Sequence, residues 1–265
     1  MNELPGSIGI IGAMPDEVAA LNHWLHARAE RRTVAGREFL IAHHAEHEAD
    51  GVGAGHRIVL AQSRVGKVAA AVTATRMIET FEVDAVIFTG LAGALDESLR
   101  VGDIVVASSL CQHDMDASPL FPPLEIPLLG TSFFEPDAAL TDRVHAAAER
   151  FIAAGLAPEL TPAQRDAMGI GSPRVIRGVV TSGDLFCASN ALRDLVRSRV
   201  PTAACVEMEG AAVAQVCAEH GKPFAVVRAI SDAADDGAAD HFMQSLPAFA
   251  AAYSLGIVRR IFDAD

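Results

Sequence analysis

Short apolar runs alternate along this chain with longer segments in which apolar residues recur every three or four positions. Ser7-Ile-Gly-Ile-Ile-Gly12 reads as a buried strand. Pro15-Asp16-Glu17 then marks a helix start, with Val18, Leu21 and Leu25 as its apolar face. Residues 39–42 and 57–63 read as the arms of a hairpin, and Val65-Gly66-Lys67 leads into an alanine-rich helix over 68–81. Strands are predicted over 84–89, 104–107 and 175–181, and a helix over about 137–154. Two further apolar runs end near Val206 and Ile230, and a closing helix runs from about His241 to Phe262, interrupted or offset at Pro247. This alternation of strand and helix predicts an α/β fold built on a largely parallel sheet with helices on both faces. No internal repeat or linker breaks it, so residues 1–265 are expected to form a single domain.

Charge appears in this pattern where apolar runs stop. Ala203-Ala-Cys-Val-Glu-Met-Glu-Gly-Ala-Ala212 acquires Glu207 and Glu209, and Phe224-Ala-Val-Val-Arg-Ala-Ile230 carries Arg228 before Ser231-Asp232. Charged groups in such surroundings are rarely buried unless paired or used on a ligand. A Glu–Arg structural pair and a helix-capping Asp232 would account for any one of them; the set of four points to a ligand site at two neighbouring strand ends, where open α/β sheets bind ligands. Glu17 follows another such edge, whereas Asp16 has only a helix dipole to complement. Gly90 and Gly93 after the strand over 84–89 make a tight turn or admit a ligand to the backbone. Gly9 and Gly12 do not complete a dinucleotide fingerprint, and no Walker lysine follows them.

Composition narrows the partner. Lys and Arg number 21 against 34 Asp and Glu, a net charge of −13, which argues against nucleic acid or an anionic membrane surface. The apolar fraction of 51% contains no uninterrupted run of about 18 residues, so no membrane span is expected. Nor does the N-terminus read as a signal peptide. Cys111, Cys187, Cys205 and Cys217 lack metal-type spacing and three lie in apolar runs, which suits buried thiols of a cytoplasmic protein without disulfide, structural zinc or other metal. His43, His44, His47 and His56 surround a glycine-rich hairpin tip and read as a solvated loop. The apolar residues of 119–134, among them Leu120, Phe121, Leu128 and Phe133, are expected to wall a pocket or form a subunit interface.

Seven stretches taken in order resemble the nucleoside phosphorylase superfamily, and within it the 5′-methylthioadenosine/S-adenosylhomocysteine nucleosidases. They are Ile8-Gly-Ile-Ile-Gly-Ala-Met14, Val65-Gly-Lys-Val-Ala-Ala-Ala71, Thr89-Gly-Leu-Ala-Gly-Ala94, Val101-Gly-Asp-Ile-Val-Val106, Thr181-Ser-Gly-Asp184, Val206-Glu-Met-Glu209 and Val227-Arg-Ala-Ile-Ser-Asp232. The last two are the specific ones. The resemblance implies a three-layer α/β/α sandwich around a central mixed, largely parallel sheet, a homodimer, and hydrolysis without cofactor or metal. The bond cut would be the N-glycosidic bond of 5′-methylthioadenosine, S-adenosylhomocysteine or 5′-deoxyadenosine.

Residue by residue, the resemblance implies that Asp232 delivers a proton to N7 of adenine, oriented by Ser231. Glu17 would hold and deprotonate the attacking water, positioned by Arg228. Glu209 would accept hydrogen bonds from the ribose hydroxyls, with Met208 lining the sugar and Glu207 supporting from behind. Phe186 and Cys187 would border adenine, and Phe242 would cover the 5′ substituent. Leu91 departs from the pattern, since these nucleosidases commonly carry a serine there that helps hold the water. Two alternatives stay open: a purine nucleoside phosphorylase, for which Arg64 and Arg228 are the available cations, and a non-catalytic nucleoside-binding protein.

Overall fold

The computed structural model describes residues 4–26, 29–44, 55–245 and 249–263. Nine strands and eight helices follow one another along them: β1 (Ser7–Gly12), α1 (Pro15–Leu25), β2 (Glu30–Val34), β3 (Arg37–His44), β4 (His56–Gln62), α2 (Lys67–Phe81), β5 (Ala85–Ala94), β6 (Ile104–Gln112), α3 (Ala138–Ala153), α4 (Pro162–Ala167), β7 (Val175–Ser182), α5 (Asn190–Arg199), β8 (Ala203–Glu207), α6 (Gly210–Glu219), β9 (Phe224–Asp232), α7 (Ala238–Ser245) and α8 (Ala251–Phe262). All the strands join one mixed sheet in the order β2-β3-β4-β1-β5-β8-β7-β6-β9.

The central strands are apolar throughout because both of their faces are covered. Ile8, Ile10, Ile58, Leu60, Ala85 and Ile87 point into one core, shared with Val18 and Leu21 of α1, Val144 of α3 and Ile257 of α8. Ile11, Val59, Ala61, Val86 and Phe88 point the other way, toward Met77 of α2 and Val213 of α6. Strand periodicity of two therefore divides each strand between two cores, and the expected three-layer α/β/α arrangement results.

A feature absent from the sequence reading is a closed ring. β5 pairs with β9 in parallel and with β8 in antiparallel, β8 with β7 and β7 with β6 in parallel, and β6 returns antiparallel to β9. The ends of β8 and β9 are thus not neighbours, as their sequences suggested. β5 lies between them, with Gly93 opposite Val206 on one side and Asp232 on the other. Because β8 runs against β5 and β9, its carboxylates arrive over β5 from the opposite direction and converge on the same spot.

Smaller differences have local causes. The predicted closing helix begins earlier, as α7, and α8 is separate from it; Pro247 lies outside the described residues. Residues 43, 44 and 56 belong to β3 and β4, so the hairpin strands reach further than their apolar runs, and the rings of His44 and His56 lie against Phe262. His47 and the rest of that hairpin tip lie outside the described residues. All four cysteines are buried free thiols. Residues 119–134 take no part in the cavity described below; Leu120 and Leu128 are exposed while Ile126 and Phe134 are buried. Among the described residues no helix is long and apolar enough to cross a membrane.

Candidate active site

A cavity of about 320 Å³ opens where β1, β5, β8 and β9 end, lined by ten of the eleven candidate residues: Glu17, Leu91, Phe186, Cys187, Glu207, Met208, Glu209, Ser231, Asp232 and Phe242. Arg228, the eleventh, is sealed beneath its floor. Four carboxyls line this space, and none of the described residues lining it carries a positive charge.

Glu17 stands in the first turn of α1, where backbone N–H groups have no helical acceptor. Its Oε2 accepts from Ala13 N at 2.6 Å and Met14 N at 2.9 Å, and its Oε1 from Leu91 N at 3.0 Å. Leu91 thus supports Glu17 through its backbone N–H, while its side chain supplies no hydroxyl to the cavity. Gly90 beside it must be glycine, since a Cβ there would fall 2.6 Å from both Glu17 Oε1 and Arg228 Nη1. Burial pushes the Glu17 carboxyl above its ordinary pKa, against the opposing pull of Arg228.

Arg228 donates to Glu207, and its guanidinium carbon lies 4.0 Å from the Phe88 ring centroid. Burial works against its charge, but Glu207, Glu209 and Glu17 outweigh that and hold it protonated. Glu207 also accepts from the Ser182 hydroxyl, from Glu209 N at 3.1 Å and from Gly210 N at 2.8 Å. With its oxygens so engaged, Glu207 serves as an anchor for the turn from β8 into α6, leaving Glu209 to project into the cavity.

Glu209 is 6% exposed, and among the described residues its carboxylate accepts one hydrogen bond, from Gly66 N at 2.9 Å. Burial, reinforced by the neighbouring Glu207 charge, pushes it up to about 8 despite Arg228. A carboxyl whose folded pKa exceeds its unfolded one makes the folded state bind more protons between the two values. Stability from this group is therefore present below about 4.5 and lost as pH rises toward about 8. Glu209→Gln should accordingly raise the urea midpoint of the ligand-free protein at pH 8, with the gain shrinking at pH 5. A gain equal at both pH values would refute this assignment.

Asp232 ends β9 at an irregularity in the β5–β9 register between Ala92 and Gly93, and such bulges re-aim side chains. Its Oδ1 accepts from Ala234 N at 2.9 Å and its Oδ2 from the Ser231 hydroxyl at 2.7 Å, so each oxygen keeps a second lone pair for a proton. Burial raises this carboxyl too, with the Ser231 hydroxyl opposing. Above it, the Phe186 ring is 42% exposed and meets Phe242 edge-on at 5.4 Å. The Cys187 thiol, pushed up to about 11 by burial, stays neutral.

Several contributors escaped the sequence reading. Ser182 holds Glu207, the Gly66 N–H holds Glu209, and Met14, Val65 and Leu185 line the cavity. Four of them lie within stretches quoted above, yet only the fold shows that they meet.

A carboxylate cavity at the strand ends of a part-closed sheet defines the class: the family model for the phosphorylase superfamily matches residues 7–259. A 5′-methylthioadenosine/S-adenosylhomocysteine nucleosidase from Shewanella denitrificans is 37% identical over 229 residues, 86% of this chain and 87% of its own. The crystal structure of the nucleosidase of that name from Neisseria meningitidis, in complex with methylthio-immucillin-A, is 31% identical with a TM-score of 0.81, covering 97% of this chain and 98% of that one. Futalosine hydrolase of Helicobacter pylori shares the fold at 31% identity and a TM-score of 0.77, over 96% of each chain. Within the superfamily, the chain belongs to the 5′-methylthioadenosine/S-adenosylhomocysteine nucleosidase family.

Proposed function

We propose that this protein hydrolyses the N-glycosidic bond of 5′-methylthioadenosine and S-adenosylhomocysteine, releasing adenine and the 5′-substituted ribose. The observation that carries the reading is the joint placement of Glu17, Glu209 and Asp232 around one cavity whose described lining has no cation. Breaking the bond leaves the C1′–N9 electron pair on the purine and positive character on the sugar. Asp232 gives its proton to N7, Glu17 takes a proton from water as oxygen bonds to C1′, and Glu209 holds the ribose hydroxyls beside the developing positive charge. Raised pKa values suit both proton carriers, since acids and bases work best when tuned toward the operating pH. Phe186 stacks on adenine with Cys187 at its edge, and Met208 and Phe242 take the sugar and its apolar 5′ group.

A phosphorylase would need cations to hold phosphate beneath the ribose. Of the two available, Arg228 is committed to Glu207 below the floor, and Arg64 lines a different cavity, donating to Gly36 O at 2.7 Å. A binding protein, the other alternative, has no use for a buried acid and a buried base in one site. Adenine release from 5′-methylthioadenosine should therefore proceed at the same rate in phosphate-free buffer and with phosphate, giving free methylthioribose both times. Methylthioribose 1-phosphate as product would move the protein to the phosphorylases.

The same reading makes residues 1–265 one domain of a cytoplasmic homodimer that needs neither cofactor nor metal. Exposed Leu120 and Leu128, the latter 93% accessible, support residues 119–134 as the contact surface between its subunits.

A further inference from the structure

Three segments that are far apart in the chain meet at the rim of the cavity in a closed circuit of hydrogen bonds. Lys67 Nζ donates to Asp114 Oδ1 at 2.6 Å, Asp184 N donates to Asp114 Oδ2 at 2.9 Å, and Lys67 N donates to Asp184 Oδ1 at 2.9 Å. Lys67 opens α2, Asp114 lies in the turn after β6, and Asp184 in the turn after β7. The circuit is immediately flanked by cavity wall on two sides: Val65 precedes Gly66-Lys67, and Leu185 and Phe186 follow Asp184.

Among the described residues, the hydrogen bond that ties it to a cavity carboxylate is that of Gly66 N, which donates to Glu209 Oε1 at 2.9 Å. Gly66 has φ of +98°, and a Cβ there would lie 3.2 Å from Asp184 Oδ1, so the backbone is held in a shape that only glycine takes comfortably. An ordinary exposed ion pair would not justify that conformation, because such pairs contribute little. Lys67 is only 15% exposed and uses both its backbone and its side chain in the circuit. Asp114 is kept below the usual carboxylate range: burial pushes it up, but Lys67 and the Asp184 N–H outweigh this.

We propose that Lys67, Asp114 and Asp184 form a positioning clamp that presents the Gly66 N–H to Glu209 and so sets how tightly the protein holds the sugar of its nucleoside. The proposal rests on the assignment of Glu209 to the ribose hydroxyls. None of the three clamp residues touches the reacting atoms. The ribose hydroxyls are held alike in the bound substrate and in the transition state, and the Glu209 charge itself is kept, so loosening the clamp moves KM and leaves kcat nearly unchanged.

Lys67→Met and Asp114→Asn should each raise KM for 5′-methylthioadenosine about tenfold with kcat within about twofold. The acid limb of kcat/KM should move to higher pH in both. Glu209 would lose the N–H that favours its carboxylate form, while Glu207 of β8, Arg228 of β9 and Glu17 of α1 still face it. Arg177→Gln, which breaks an exposed pair with Asp142, should change neither KM nor the pH profile. Should the first two variants fail to fold, Asp184→Ala removes the acceptor of Lys67 N and should raise KM about threefold.

A folded Lys67→Met with wild-type KM, including one that loses kcat and kcat/KM equally, would overturn the proposal, as would an unchanged KM in Asp184→Ala. If the wild-type protein released no adenine, the functional reading would fall by itself. The clamp would then be read from the calorimetric Kd of 5′-methylthioadenosine, expected to weaken about tenfold in Lys67→Met and overturned by equal affinity.

Discussion

Asp232→Asn is expected to lower kcat by about 10²–10⁴-fold while the Kd for 5′-methylthioadenosine stays within about threefold of wild type. Asparagine has the shape of aspartate, so its carbonyl can still accept from Ala234 N. It can also still form a hydrogen bond with N7 of the purine. It has no proton to surrender, and the departing adenine must then leave as an anion. The wild-type carboxyl holds a proton above the ordinary aspartate range because it is buried, with Ser231 opposing. Wild-type kcat should therefore fall on the alkaline side of its optimum as this proton is lost, and that limb should vanish from the variant. Single-turnover rates across pH, with binding followed separately by calorimetry, decide the matter. A variant that keeps wild-type kcat would remove Asp232 from the chemistry.

Glu17→Gln should be as damaging to the rate and, unlike the first, also costly to the fold. Loss of the base that takes the proton of water is expected to reduce kcat by about 10²–10⁴-fold. The stability effect follows from the partners of the carboxylate. Ala13 N and Met14 N donate to one oxygen and Leu91 N to the other, so both carboxylate oxygens face donors. An amide has to turn its NH2 toward one of those groups, leaving buried donors unsatisfied at roughly 1–3 kcal/mol. Arg228 would lose one of the three carboxylates that support its charge but keep Glu207. The combination to look for is a collapsed kcat together with a lowered urea midpoint in ligand-free protein. A variant that is fully active, or inactive with unchanged stability, would contradict the placement of Glu17.

Most of the candidate site was legible because charge stands out in apolar runs. Glu207, Glu209, Arg228 and Asp232 interrupt segments that otherwise read as core, and all four are buried at the cavity or directly under it. Backbone donors carry no such mark. The N–H of Gly66 and of Leu91 hold Glu209 and Glu17, and nothing in a residue's identity says where its amide points. Leu91 shows both sides of this: its N–H reaches Glu17, a contact any residue other than proline could make, while its side chain brings no hydroxyl to the site. Elements were missed for a related reason. β2, Glu-Arg-Arg-Thr-Val, has almost no buried face, and in α5 the short stripe of Leu192, Leu195 and Val196 stands in a strongly polar segment and buries only Val196. Ring closure could not be read at all, because strand pairing depends on partners distant in the chain, and the two residue pairs between β5 and β8 leave no pattern in either strand.

That closure bears on how the protein behaves at high concentration. A strand with an unpaired side is a template on which other chains can add, and natural sheets usually have two such margins to protect. Here one end of the sheet folds back and bonds to itself, so β2 alone presents an outer margin among the described strands. Its residues Glu30, Arg31, Arg32 and Thr33 are exposed and three of them are charged, with Arg31 paired to Glu38 of β3 at 2.6 Å. Strand-to-strand aggregation is thus opposed by closure on one side and by charge on the other, and replacing Arg31 and Arg32 with valine would concentrate the risk of fibre-like assembly at a single place.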